Sequence, residues 1–319
     1  MTKTSDLRVA FVFPGQGSQF VGMGRTWVEA RPETEAVFDR ADKALGVELK
    51  QLCWEGPEEE LQLTANTQPA ILATSVATLE AISDLPIEPV MMAGHSLGEY
   101  SAHVAAGTLT FEDALRLVRR RGELMQQAVP VGQGAMAAVL GLEADSVTAI
   151  AAAAAGDEVC VVANFNAPSQ TVLAGSRSAV EEAIRLARAS GARRAILLPV
   201  SAPFHSPLMR PARAGLEPQL DATDFEDPRM PVVCNIDAVP VSAGAAARDA
   251  LKRQVDGPVR WVESIQWMVE QGRIDLFVEV GPGTVLTGLI RRIAPGVKAL
   301  SLDKASRAEK LIEILGETG

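Results

Sequence analysis

Pro89-Val90-Met91-Met92-Ala93 is a wholly apolar run that stops at Gly94-His95-Ser96-Leu97-Gly98, and this junction constrains the fold more than any other feature of the chain. A continuous apolar run without polar alternation fits a parallel strand covered on both faces. The Gly-x-Ser-x-Gly spacing after it fits a sharp strand-to-helix turn, in which the small residues flanking the serine let the turn approach its neighbours. Such a turn strains the serine, exposes its Oγ and sets it at a helix N-terminus, where backbone N–H groups and the dipole favour a developing oxyanion. A loop that merely caps the helix is the plainer alternative, since Ser is a good N-cap.

The rest of the chain alternates in the same way. Val9–Phe13 reads as a strand stopped by Pro14-Gly15-Gln16-Gly17, followed by helices over Trp27–Leu45 and Gln68–Ser83. Beyond the serine, helices are expected at Leu97–Ala106 and Phe111–Gln127. Between 128 and 200 the pattern becomes β-α-β-β-α-β: Ala135–Leu140, Ala144–Ala155, Val159–Ala163, Thr171–Ala174, Ala179–Ser190 and Ala195–Val200. That order is ferredoxin-like and its completeness marks an inserted subdomain. After Pro203 the larger pattern resumes, with strands at Val232–Asn235, Leu276–Val280 and Ala299–Leu302. Helices are expected there at Ala245–Val255, Val262–Gln271, Val285–Ile293 and Arg307–Leu315. The expectation is an α/β chain with a mainly parallel sheet in a body made of 1–127 and 201–319, and a small subdomain at 128–200.

Composition limits the function classes. The 319 residues are 47% hydrophobic and 22% charged, as in an ordinary globular protein, and 40 Asp+Glu against 30 Lys+Arg give a net charge of −10. That balance argues against nucleic acid as the main partner, because phosphate binding needs a dense cationic surface. Cys53, Cys160 and Cys234 stand far apart, which suggests neither a metal site nor a disulfide framework and fits a reducing cytoplasm. No secretory leader is evident at the N-terminus, and no stretch approaches the roughly 20 apolar residues that span a bilayer.

A serine nucleophile needs a base, and only His95, His103 and His205 are available. His95 precedes the serine directly, so on a tight turn its side chain is expected to point away. His103 lies on the following helix, two turns below the catalytic end, and reads as surface or packing. His205 sits in Ser201-Ala202-Pro203-Phe204-His205-Ser206-Pro207 after an apolar strand, where α/β sheets place their sites. No third triad member is evident, and a backbone carbonyl accepting the Nδ1–H is the alternative.

On the Phe111 helix, Ala114, Leu115, Val118 and Met125 share a face with Phe111, and Arg121 falls at the edge of that stripe. Arg119 and Arg120 read as solvated, whereas Arg121 needs an anionic partner: a structural Asp or Glu, or a substrate carboxylate held bidentately. The Gly-rich turn Phe13-Pro14-Gly15-Gln16-Gly17-Ser18-Gln19 has Phe20 where a dinucleotide fingerprint needs its third glycine. Presenting a backbone N–H to an oxyanion is its alternative use.

These residues carry a resemblance. Together with Thr67-Gln68-Pro69-Ala70, Gly94 to Ala102, Arg121-Gly122, Asn164-Phe165-Asn166, Phe204-His205-Ser206, Pro258-Val259-Arg260-Trp261 and Glu279-Val280-Gly281-Pro282-Gly283, the chain resembles the malonyl-CoA:acyl carrier protein transacylases and the related polyketide synthase acyltransferase domains. The match spans nearly the whole length. It implies a hydrolase-like α/β body carrying an inserted ferredoxin-like subdomain. It also implies Ser96 as acylated nucleophile, His205 as base, the Gln254 carbonyl as its orienter, the N–H groups of Gln16 and Leu97 as oxyanion hole, and Arg121 as grip on the malonyl carboxylate. Phe204 resembles the malonyl-selective pattern, in which a ring leaves no room for an α-methyl group. Gly257 stands where the family often has Asn, a departure beside Gln254.

The resemblance implies ping-pong transfer of malonyl from malonyl-CoA to the phosphopantetheine thiol of an acyl carrier protein, with no bound cofactor, no metal and no membrane. Fatty acid synthesis is the main reading and trans-acting polyketide synthesis the alternative; a monomer is the simplest state. Docking an acidic carrier calls for a local basic surface, for which Arg119, Arg120, Arg193, Arg194, Arg291 and Arg292 are candidates. Two rival classes share parts of this pattern. A serine hydrolase or thioesterase needs Ser96 and His205 but not Arg121, and a carrier-binding module without catalysis forms no acyl-serine.

Overall fold

Every residue of Val9–Phe13 (β1) is buried, because the strand has a parallel neighbour on each side. The computed structural model of the protein describes residues 7–200 and 202–316, so Met1 to Asp6 and Ser201 of the expected sequence features lie outside the described residues. β1 pairs with Pro89–Gly94 (β2), reached after the hydrophobic helix Thr64–Ala81 (α1). The helices Gly98–Ala105 (α2) and Phe111–Gln127 (α3) follow β2.

Four strands form the second sheet: Gly134–Leu140 (β3), Cys160–Ala167 (β4), Gln170–Ser176 (β5) and Arg194–Leu197 (β6). Its order is β4-β5-β3-β6 and all pairs are antiparallel, with helices Ala144–Ala155 and Arg177–Ala189 supplying the two crossovers. These helices close a separate small core with the inner face of the sheet. The body then completes its six-stranded sheet with Val232–Val233 (β7), Pro240–Val241 (β8), Leu276–Glu279 (β9) and Lys298–Ser301 (β10), in the order β10-β9-β1-β2-β7-β8. All neighbours in this sheet are parallel except the β7–β8 hairpin.

Register decides where the site lies. Phe13 is paired with Gly94, and the N–H of His95 extends the ladder to the carbonyl of Phe13 at 3.0 Å. The loops after β1 and β2 therefore leave the sheet together at its carboxyl edge, where open α/β sheets bind ligands. The second sheet is tied to the body by an isolated bridge between β4 and the segment before Trp261: Phe165 N–H bonds the Val259 carbonyl at 2.9 Å and Val259 N–H bonds the Ala163 carbonyl at 2.8 Å.

Several elements depart from expectation, among them the strand expected over Val232–Asn235, which ends at Val233. The single helix over Trp27–Leu45 is broken into Arg25–Ala30, a short 3-10 turn and Glu35–Leu45, because Pro32 cannot continue the first helix. The strand expected over Ala195–Val200 ends at Leu197, and Val200 instead bends back to bond Leu198. The helix Arg210–Ala222 was not expected, since Pro211 and Pro218 interrupt its pattern; Pro211 is tolerated in the first turn, where its missing N–H has no partner to lose. Among the described residues no helix is long and apolar enough to cross a membrane.

Candidate active site

The turn after β2 puts Ser96 at φ 52, in the left-handed region that side chains other than glycine rarely adopt. Neither flanking glycine can be replaced cheaply. A Cβ on Gly94 would stand 1.9 Å from the carbonyl carbon of Gly98, and one on Gly98 would stand 2.0 Å from the Phe13 oxygen. The close approach of β1, β2 and α2 thus requires both glycines of Gly-x-Ser-x-Gly, and the serine between them takes the strain.

His205, also at positive φ (57), places Nε2 2.6 Å from Ser96 Oγ. Its Nδ1 faces two acceptors, the carbonyls of Gln254 at 2.9 Å and of Gly257 at 3.1 Å. Carbonyls only accept, so the proton sits on Nδ1 and Nε2 is left with a lone pair toward the serine hydroxyl. Among the described residues no carboxylate bonds His205, so the pair is a dyad oriented by backbone. Burial, then the charge of Arg121, pushes its pKa down to about 3, which keeps the imidazole neutral. Gly257, where the sequence departs from the resembled pattern, supplies the second carbonyl through its backbone alone.

Arg121 is 2% exposed, and the Asp or Glu partner that its place on α3 suggested is absent: no ion pair to it is found among the described residues. Its Nη1 donates to Gln68 Oε1 at 2.9 Å, while Nη2 donates to Gln254 Oε1 at 3.0 Å and to Ser96 Oγ at 3.2 Å. Gly122 lets this happen, because a Cβ there would meet the Thr64 carbonyl of α1 at 2.7 Å and hold the two helices apart. A buried guanidinium satisfied only by neutral amides and a hydroxyl is a preformed seat for a carboxylate. Arg119 and Arg120, expected to be solvated, both pair with Glu123, and Arg119 also donates to Asn66 at 2.5 Å.

Ser96, His205 and Arg121 share a cavity of about 180 Å³ with Gln16, Leu97 and Phe204. The backbone N–H groups of Gln16 and Leu97 donate to no group among the described residues, as oxyanion donors must not. Phe204, 8% exposed, forms part of the wall next to His205. His95 also reaches the cavity wall but turns its Nε2 to Asn166 Oδ1 at 2.8 Å and its ring edge against Trp261, so it makes no bond to the serine. His103 is packing, fully buried with both ring nitrogens unpartnered.

Sequence reasoning missed several polar side chains behind the serine. Asn235, after β7, accepts the Ser96 N–H on Oδ1 at 2.6 Å and donates Nδ2 to the Gly94 carbonyl at 2.7 Å. Gln254 Nε2 donates to the Ser96 carbonyl at 2.9 Å, a role beyond the backbone one expected of it. Glu99, buried on α2, has its pKa pushed up to about 7 by desolvation, partly offset by the bonds it accepts from Asn235 and Gln254. Gln68 and Glu99 lay inside quoted motifs, which was the available signal; Asn235 carried none. Among the described residues no group of three or more His, Cys, Asp and Glu could hold a metal ion.

Comparison with known proteins places the chain in a family. The sequence profile of the family described as "Acyl transferase domain" matches residues 10–306. A relative from Bacillus subtilis (strain 168), a malonyl CoA-acyl carrier protein transacylase, is 45% identical over 97% of this chain and 98% of its own. The solved structure of the malonyl CoA-acyl carrier protein transacylase from Coxiella burnetii superposes with a TM-score of 0.95 at 42% identity, covering 98% of each chain. A further solved structure, a malonyl-transacylase in complex with its type II polyketide synthase acyl-carrier protein, has a TM-score of 0.94 at 44% identity and covers 96% of this chain and 99% of that one.

Proposed function

The chain belongs to the acyl transferase domain family, and from that premise we propose how it works: it moves a malonyl group from malonyl-CoA to the phosphopantetheine thiol of an acyl carrier protein. The observation that carries this reading is the 3.2 Å approach of the Arg121 guanidinium, which forms no ion pair among the described residues, to the Ser96 hydroxyl that His205 holds at 2.6 Å. A hydrolase of neutral esters has no use for that charge, whereas a malonyl thioester brings the missing carboxylate to it.

Ser96 Oγ attacks the thioester carbonyl as its proton passes to His205 Nε2, and the imidazolium is steadied through Nδ1–H by the carbonyls of Gln254 and Gly257. The tetrahedral oxyanion is received by the N–H groups of Gln16 and Leu97. CoA departs as a thiolate that takes the proton from His205, leaving malonyl-Ser96. The carrier's pantetheine thiol then enters, gives its proton to His205 and displaces Ser96 Oγ, which takes that proton back. A thiolate leaves easily, so a dyad without a carboxylate suffices.

Phe204 sets the acyl preference by closing the space beside the α-carbon. The segment 128–200 acts as an inserted subdomain that walls the cavity, through Met136, Asn164 and Val172 among others. The enzyme works in the cytoplasm as a monomer, and the carrier belongs to fatty acid synthesis; the relative that binds a polyketide carrier keeps that pathway as the second reading.

Intact-protein mass spectrometry after brief mixing with malonyl-CoA tests the proposal. A single malonyl adduct on the wild type, absent from Ser96→Ala and weak with acetyl-CoA, is expected. Intact CoA with no adduct would indicate a binding module, and free CoA accumulating without adduct or carrier would indicate hydrolysis.

A further inference from the structure

A residue at φ 52 keeps its conformation only where its surroundings over-determine it. At Ser96 the two backbone groups of the strained residue itself are both held by side chains from distant segments. Its N–H donates to Asn235 Oδ1 at 2.6 Å and its carbonyl accepts from Gln254 Nε2 at 2.9 Å. Both holders then converge on one atom. Glu99 Oε2 accepts the backbone N–H of Asn235 and the Nε2 of Gln254, each at 2.9 Å.

Donor and acceptor chemistry makes this convergence directional. The primary amide of Gln254 can present oxygen or nitrogen to either side, but Arg121 only donates and the Oε2 of Glu99 only accepts here. The amide is therefore locked with its oxygen toward Arg121 and its nitrogen toward Glu99 and the Ser96 carbonyl. Remove the acceptor, and the Gln254 nitrogen keeps the Ser96 carbonyl but loses its bond to Glu99, while the Asn235 N–H loses its acceptor altogether, in a buried place where an unmet donor is costly. Glu99 itself is fully buried, does not line the cavity and makes no bond to His205 or to the serine hydroxyl. Its other oxygen, Oε1, has no partner, so it is the single accepting atom Oε2 that the arrangement uses.

We propose that Glu99 is a positioning residue for Ser96: through Asn235 and Gln254 it holds the strained turn at the geometry from which the hydroxyl attacks. The proposal rests on Ser96 being the acylated residue. A carboxylate that merely stabilised α2 would influence stability without touching the rate of acylation.

The test compares Glu99→Met, which fills similar volume without an acceptor, with Glu99→Gln, which keeps one oxygen able to accept both bonds. The readout is the single-turnover rate of malonyl-adduct formation over a range of malonyl-CoA concentrations. A misplacement of about 1 Å costs on the order of 100-fold in rate, so Glu99→Met should lose up to about that much in maximal rate with a smaller change in half-saturating concentration. Glu99→Gln should recover to within a few fold of wild type. Acylation of Glu99→Met at the wild-type rate, or an equal loss in both variants, would overturn the proposal. If Glu99→Met does not fold, Glu99→Asp carries the test: it withdraws the acceptor by one methylene, should also acylate slowly, and refutes the proposal by acylating normally. Ser96→Ala is run beside them; an adduct on that variant would defeat the assignment of the nucleophile, and not the role of Glu99 alone.

Discussion

Arg121 Nη2 and Ser96 Oγ are 3.2 Å apart, although one belongs to the third turn of α3 and the other to the turn after β2. The residue proposed to select the acyl group therefore touches the atom proposed to receive it. An acyl chain with a carboxylate two carbons from its thioester carbonyl can satisfy both at once, and an acetyl group leaves the guanidinium with only the amides of Gln68 and Gln254.

Arg121→Ala should accordingly lose malonyl transfer by about 100-fold or more in kcat/KM, since a desolvated, charge-assisted pair of this kind is worth about 3–5 kcal/mol when broken. Acetyl transfer should fall less, so the ratio of the two donors inverts or levels. Steady-state kinetics with both thioesters check this, and a preserved malonyl preference would remove Arg121 from the role.

Phe204→Ser should admit methylmalonyl-CoA. The ring forms part of the cavity wall beside His205, and the space for one added methyl changes discrimination by about 10-fold or more. The relative kcat/KM of methylmalonyl-CoA against malonyl-CoA is the measurement, because truncating a packed ring will also lower stability and absolute activity. An unchanged ratio would count against Phe204 as the selecting residue.

Ser96→Gly should be more stable than Ser96→Ala by about 1 kcal/mol, because φ 52 is free to glycine and costly to any residue with a Cβ. Neither variant should form an adduct. Urea unfolding of the two proteins side by side gives the difference, and equal midpoints would mean the turn carries no strain.

Acid should destabilise the fold through its buried histidines. Burial lowers the His103 pKa from 6.5 to about 3. The unfolded chain therefore takes up a proton as pH falls below 6.5 while the native chain does not, so stability is full above that pH and is lost between 6.5 and 3. The slope is about 1.4 kcal/mol per pH unit for each such group. His103→Gln should remove one group's share, seen as a shallower fall of unfolding free energy between pH 6.5 and 4.5. Parallel slopes would show that His103 is protonated in the native state.

Much of this architecture was legible locally. The periodicity of Phe111–Gln127 located both ends of α3 and set Arg121 at the edge of its buried stripe. The apolar run before Gly94 marked β2, and the β-α-β-β-α-β texture read between 128 and 200 matches the four strands and two helices of the second sheet in order, though its last strand stops at Leu197. Local signals failed where proline broke a periodic pattern. Pro32 ended a helix that hydrophobicity alone would have continued, and Pro211 and Pro218 hid one that packing sustains.

The candidate site divides along the same line. By itself the sequence determined the turn that exposes Ser96, because the glycines at 94 and 98 and the serine between them are neighbours whose sterics need no other part of the chain to be read. The bonding of Arg121 to amides rather than to a carboxylate, and the orientation of His205 by the carbonyls of Gln254 and Gly257, came only from how the chain packs. That packing alone decided that Asn235 and Gln254 meet on Glu99. Those bonds join residues 49 or more positions apart in the chain. Which donor finds which acceptor there depends on how the sheet order and helix packing bring separate segments together, and side-chain periodicity carries no record of it.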